Sequence, residues 1–154
     1  MEIYFLRHGI AEDRAADGTD GARRLTAEGV AKLEASEPGL RRLRVRPELL
    51  LTSPLTRARE TAEVVGRLLG LAPEVAGELA PGCDATRLLR LLEARPRVER
   101  VMVVGHEPDF SQMIGALTGG RVEMKKGALA CVELLAPASS RGTLAWLVPP
   151  RGLR

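Results

Sequence analysis

Hydrophobic residues along this chain fall into short continuous runs, separated by segments whose apolar positions recur at helical spacing. Residues 2–6, residues 48–52 after Pro47, and residues 99–104 have the brevity and the apolar, partly β-branched or aromatic content of buried strands. Helical patterns lie between them. Thr26 is expected to cap a helix, with Leu25 and Val30 at the spacing of a hydrophobic staple. Pro38-Gly39 is expected to stop that helix at about Glu37, and residues 40–45 fit no single pattern. Ser53-Pro54 supplies an N-cap and a first-turn proline for a helix with Ala58, Ala62, Val65 and Leu69 on one face, and Gly70 is placed to close it. Residues 74–79 read as a short strand, and Asp84 as the cap of a helix over 85–94. Phe110, Met113, Ile114 and Leu117 predict a further helix, ended by Gly119-Gly120.

The last third follows a different rhythm. Residues 128–135 and 143–148 read as two strands, and the Pro137–Gly142 connection is too short for a crossover helix, so they pair antiparallel. The expected fold is therefore α/β: a three-layer α/β/α sandwich on a mixed, mostly parallel central sheet. With no internal repeat or linker, residues 1–154 read as one domain. Residues 10–24 read as a polar loop, and residues 149–154 as a frayed tail.

Composition narrows the function classes. A hydrophobic share of 45% beside 28% charged residues is that of a soluble globular chain, with no apolar stretch near the length of a membrane span. The opening residues do not read as a signal peptide, and a cytoplasmic location is expected. Only Lys32, Lys125 and Lys126 are lysines among 23 basic residues, a skew that reads as codon bias for most of the arginines. An aromatic share of 3% and the lack of a contiguous basic run speak against nucleic acid as a partner. Cys83 and Cys131 lack zinc-site spacing and read as free thiols, Cys83 in a loop with some exposure.

The chemistry lies where the strands end. The chain has two histidines, His8 and His106, and each directly follows an apolar run. Both imidazoles are thus expected at strand carboxyl ends, where open α/β sheets hold their ligands. Arg7 precedes His8, and Arg57 falls in the first turn of the helix after the second strand, where the helix dipole favours an anion. Gly9 and Gly105 beside the histidines are expected to allow close backbone approach. Two guanidiniums and two imidazoles suit a dianionic phosphoryl group, and one neutral imidazole can attack phosphorus. No metal or other cofactor is needed for this, and two histidines without a carboxylate pair make a poor metal site.

Leu6-Arg7-His8-Gly9, Thr52-Ser53-Pro54-Leu55-Thr56-Arg57-Ala58 and Val104-Gly105-His106-Glu107-Pro108 together resemble the signatures of the histidine phosphatase superfamily, which is phosphoglycerate mutase-like in fold. Their order and the compact length, with Arg24-Leu25-Thr26-Ala27-Glu28-Gly29, resemble its small SixA-type branch of phosphohistidine phosphatases. The resemblance implies that His8 is the phosphorylated nucleophile and that Arg7, Arg57 and His106 bind the phosphoryl oxygens, with Gly9 beside them. It departs at Ile10-Ala11-Glu12, where larger members often carry a polar Asn or Thr. Glu78 is the first candidate for a general acid, with Glu12, Asp17 and Asp20 as rivals. The chain also lacks room for the helical insertion that covers the pocket in larger relatives. An open pocket of this kind fits a phosphohistidine presented by a phosphorylated protein. The alternatives are a small phosphorylated metabolite, such as a sugar phosphate or nucleotide, and a non-catalytic phosphate-binding module.

Overall fold

In the computed structural model, residues 1–136 and 139–154 are described. Six strands form one sheet: β1 (Glu2–Arg7), β2 (Leu49–Thr52), β3 (Glu74–Val75), β4 (Arg100–Gly105), β5 (Leu129–Leu134) and β6 (Gly142–Val148). Their order is β3-β2-β4-β1-β5-β6. The first four are parallel to one another, and β5 and β6 add antiparallel on the β1 side.

Side chains alternate between the two faces of each strand, so each core strand feeds two layers. Ile3, Phe5, Val101 and Val103 face α4 (Ala85–Glu93) and α5 (Asp109–Thr118), packing on Leu88, Met113 and Ile114. Tyr4, Leu6, Met102 and Val104 face the opposite layer of α1 (Ala27–Glu34), α2 (Glu37–Arg42), α3 (Thr56–Leu69) and α6 (Pro150–Leu153). This is the three-layer mixed α/β sandwich expected from the pattern. Thr26 caps α1 through its hydroxyl, Asp84 caps α4 through its carboxylate, and Gly70 and Gly119 end α3 and α5 in the left-handed conformation.

Several local expectations fail for tertiary reasons. Pro38-Gly39 does not stop a helix but opens α2, since a proline in the first turn forfeits no helical hydrogen bond. A Cβ at Gly39 would overlap the backbone of Leu153, so the glycine lets α6 dock. That contact orders the supposed frayed tail and leaves Leu153 at 2% exposure. The strand expected over 74–79 covers only Glu74–Val75 before a 3₁₀ turn at Gly77–Leu79. Cys83, placed in an exposed loop by its neighbours, is buried, and burial raises its thiol to about 11. Pro137 and Ala138, in the loop before β6, lie outside the described residues.

Candidate active site

Strand register brings the two histidines together. Arg7 on β1 pairs with Gly105 on the parallel neighbour β4, so His8 and His106 leave the sheet side by side. The His8 amide donates to the Gly105 carbonyl at 3.1 Å, and the two ring centroids lie 5.4 Å apart. Both imidazoles are buried, at 5% and 4% exposure. Residues Ser53 to Leu55 carry the chain from β2 into α3, and Arg57 in its first turn reaches the same place.

His8 is held in one tautomer. Its Nδ1 lies 2.8 Å from the Gly9 carbonyl, which can only accept, so Nδ1 carries the ring proton. Nε2 is left as a lone pair and accepts from Arg57 Nε at 3.3 Å. Burial, and to a smaller degree the nearby His106, Arg57 and Arg7, pushes His8 down to about 3, against the opposing pull of its Gly9 hydrogen bond. It is therefore neutral at physiological pH. The Gly9 peptide that sets this tautomer is itself clamped, because its amide donates to Thr61 Oγ1 at 3.0 Å. Thr61 in turn donates to the Arg57 carbonyl at 2.7 Å. The nucleophile loop and the arginine helix thus share one buried hydroxyl.

His106 is oriented differently. Its Nε2 lies 2.6 Å from Ser53 Oγ, which also accepts from the Leu55 amide at 3.3 Å. The Ser53 hydroxyl can donate to Nε2, and in that arrangement the His106 ring proton lies on Nδ1. That Nδ1 is buried with no partner among the described residues, and so is Arg7 Nε. Arg7 is anchored by donating from its terminal nitrogen to the Met124 carbonyl at 2.8 Å. Burial lowers Arg7 from its ordinary value, and burial followed by Arg57 lowers His106 to about 4.

The loop before α1 closes one side. Arg57 donates to the Asp20 carbonyl at 3.0 Å and to the Asp20 carboxylate at 3.2 Å. The Thr56 amide donates to the Gly21 carbonyl at 3.0 Å, so the first amide of α3 is occupied. Glu60 clamps the loop at its far end through the Arg24 guanidinium and the Leu25 amide.

The structure thus brings His8, Arg7, Arg57 and His106 into one cluster. Gly9 is present, but its amide is spent on Thr61, so it offers no donor to an anion. Nor do the glycines beside the histidines make room for a ligand: a Cβ at Gly105 would strike the Phe110 ring at 2.7 Å, and one at Gly9 would meet Leu33 at 3.0 Å. Ser53 caps no helix, since the residue before α3 is Leu55; its hydroxyl serves His106 instead. Glu78 sits exposed in the 3₁₀ turn and makes no hydrogen bond or ion pair among the described residues. Of its rivals, Glu12 accepts from the Arg24 amide and Asp17 closes a turn with Thr19, whereas Asp20 touches the cluster. Sequence reasoning missed Thr61, whose one signal is a polar residue four positions after Arg57, amid the apolar stripe of α3.

The family described as the histidine phosphatase superfamily (branch 1) matches residues 3–80. The phosphohistidine phosphatase SixA of Escherichia coli (strain K12) is 30% identical over 158 aligned residues, covering 100% of this chain and 97% of its own. An uncharacterised protein of Picosynechococcus sp. is 40% identical over 137 residues, covering 84% of this chain and 82% of its own. Among solved structures, the protein histidine phosphatase SixA complexed with tungstate superposes with a TM-score of 0.88 at 32% identity, covering 100% of both chains. The alpha-ribazole phosphatase of Shigella flexneri shares the fold alone, with a TM-score of 0.75 at 19% identity over 97% of both chains. No helix among the described residues is long and apolar enough to cross a membrane. With its clustered arginines and histidines and these relatives, the chain belongs to the histidine phosphatase superfamily (branch 1) as a SixA-type phosphatase.

Proposed function

We propose that this protein removes the phosphoryl group from phosphohistidine on a partner protein, through a phosphohistidine intermediate on His8. The observation that carries this reading is the pair of buried nitrogens without a partner among the described residues, Arg7 Nε and His106 Nδ1, beside the fixed lone pair of His8 Nε2. A buried donor without a partner is costly. A phosphoryl dianion would supply acceptors to both and balance the two guanidiniums.

In the first half-reaction His8 Nε2 attacks phosphorus, and the substrate's bond to phosphorus breaks in line with that attack. Arg57 Nε, which rests on Nε2 in the free enzyme, moves to a phosphoryl oxygen once Nε2 is bonded to phosphorus. Arg7 and His106 stabilise the remaining oxygens as charge redistributes. Water then attacks phosphorus, the His8–phosphorus bond breaks, and phosphate leaves. The tungstate bound in the SixA structure supports this reading, since tungstate is a tetrahedral oxyanion like phosphate.

The substrate class follows from the leaving group. An alcohol leaves well only if an acid gives it a proton. Glu78 is unattached to the cluster, and Asp20 is held as an anion chiefly by its hydrogen bond from Arg23. Imidazole can leave as a neutral base and makes less demand on such an acid. The test compares kcat/KM on a phosphohistidine-bearing protein with kcat/KM on a panel of sugar phosphates and nucleotides. A preference of at least about 10²-fold for the phosphoprotein is expected, about 2.8 kcal/mol of discrimination. A strong preference for one small monoester would replace this substrate with a metabolite.

A further inference from the structure

Asp20 is the one carboxylate among the described residues that hydrogen-bonds a member of the His8, Arg7, Arg57 and His106 cluster. Its position does not depend on that carboxylate alone. Its backbone carbonyl accepts from Arg57 at 3.0 Å, and the next residue's carbonyl accepts from the Thr56 amide. One carboxylate oxygen meets Arg57 at 3.2 Å and the other meets Arg23 at 2.9 Å, while the side chain stays 63% exposed. His8 approaches the phosphoryl site from the interior, at 5% exposure. In-line transfer places the leaving group opposite the nucleophile, and the exposed Asp20 carboxylate, held at the outer nitrogen of Arg57, faces solvent at the edge of the cluster.

A carboxylate flanked by two arginines stays ionised and is a poor proton donor for a departing alkoxide. Its remaining lone pairs can accept from an N–H. We propose that Asp20 determines substrate class by accepting a hydrogen bond from the protonated, unphosphorylated ring nitrogen of a phosphoimidazole, so that the enzyme favours phosphorus–nitrogen over phosphorus–oxygen bonds. This rests on the reading of the cluster as a phosphoryl-transfer site. The bond from His8 Nε2 to phosphorus forms as the substrate's phosphorus–nitrogen bond breaks. The electron pair of that bond stays on the departing ring nitrogen, and the proton stays on the other, so neutral imidazole leaves. Asp20 remains ionised throughout and exchanges no proton.

The test measures kcat/KM for N-phosphorylimidazole and for p-nitrophenyl phosphate, whose phenolate leaves without protonation, in the wild type, Asp20→Asn and Asp20→Glu. Asn keeps both backbone contacts and the side-chain shape. The ratio of phosphoimidazole to phenyl ester activity is expected to fall about tenfold or more in Asp20→Asn, the loss of one charged hydrogen bond. Asp20→Glu, which keeps the charge, should recover part of that ratio. An unchanged ratio in Asp20→Asn, or equal changes on both substrates in either direction, would make Asp20 a latch on Arg57 and overturn the proposal while leaving phosphohistidine as substrate. Hydrolysis of p-nitrophenyl phosphate alone by the wild type would overturn both. No turnover of either substrate, nor of a phosphohistidine-bearing protein, would overturn the phosphoryl-transfer reading beneath them.

Discussion

The two ends of the parallel strands carry similar charged groups and treat them in opposite ways. At the amino ends, Arg100 pairs with Glu48 at 2.6 Å and donates to the Arg46 carbonyl at 2.8 Å, and Glu48 also accepts from the Glu99 amide at 2.9 Å. Those side chains are 40% and 36% exposed, so water completes their partners. At the carboxyl ends the imidazoles and Arg57 are buried, Arg7 is half-buried, and two nitrogens have no partner among the described residues. A cleft of about 500 Å³ opens at the amino end, between Glu2, Leu89, Glu99 and Leu134. A cleft of that size does not mark the site. Unsatisfied buried nitrogens mark the site because they leave a ligand as the missing partner.

The difference can be broken from either side. Arg7→Ala and Arg57→Ala should each lower kcat/KM on the order of 10²-fold or more, because each removes a cation from the transferring phosphoryl group. Arg100→Ala, at the satisfied end, should change kcat/KM by less than about twofold, since it removes an exposed ion pair and one exposed hydrogen bond far from the cluster. Steady-state kinetics on the same phosphorylated substrate compares all three.

A subtler break is Thr61→Val, which keeps shape but strands the buried Gly9 amide. Losing that bond should cost about 1–3 kcal/mol of stability and roughly tenfold in kcat, as the His8 loop loosens. Thr61→Ser, which keeps the hydroxyl, should recover most of the kcat. Thermal melts run beside the kinetics separate the two effects.

The effect that is smallest near neutral pH is that of protonation. With folded values of about 3 for His8 and about 4 for His106, against 6.5 for an ordinary imidazole, the unfolded chain takes up protons first on acidification. The stability from burying neutral imidazoles is complete above about pH 6.5 and is lost as pH falls towards those lower values. The chain has two histidines, so NMR resolves each titration directly. Midpoints below about 5 in the free enzyme are expected, and midpoints near 6.5 would remove the burial argument.

Much of this was legible in the chain before any fold was known. Strand runs ending in Arg7-His8 and Gly105-His106 announce themselves because a parallel sheet delivers its strand-end residues to one side. Arg57 was legible because a helix start has a sequence signature. Ser53 was legible as a position but not as a role, since a serine before proline reads as a cap, and only the fold reveals its contact with His106. Thr61 and Leu153 were hidden for a common reason. Their partners are Gly9 and Gly39, far away in sequence, and no local periodicity encodes a single long-range contact. Asp20 lay in a loop with other acids, and nothing local distinguished the one that turns toward Arg57.

The central claim is that His8 carries the phosphoryl group. The direct measurement is to mix enzyme with a phosphohistidine-bearing protein, quench within the first turnover, and map the phosphate by mass spectrometry under alkaline conditions. An acid-labile, alkali-stable phosphate on His8, absent in His8→Ala, is the expected result. Turnover at the wild-type rate in His8→Ala, or phosphate found on His106 instead, would contradict it.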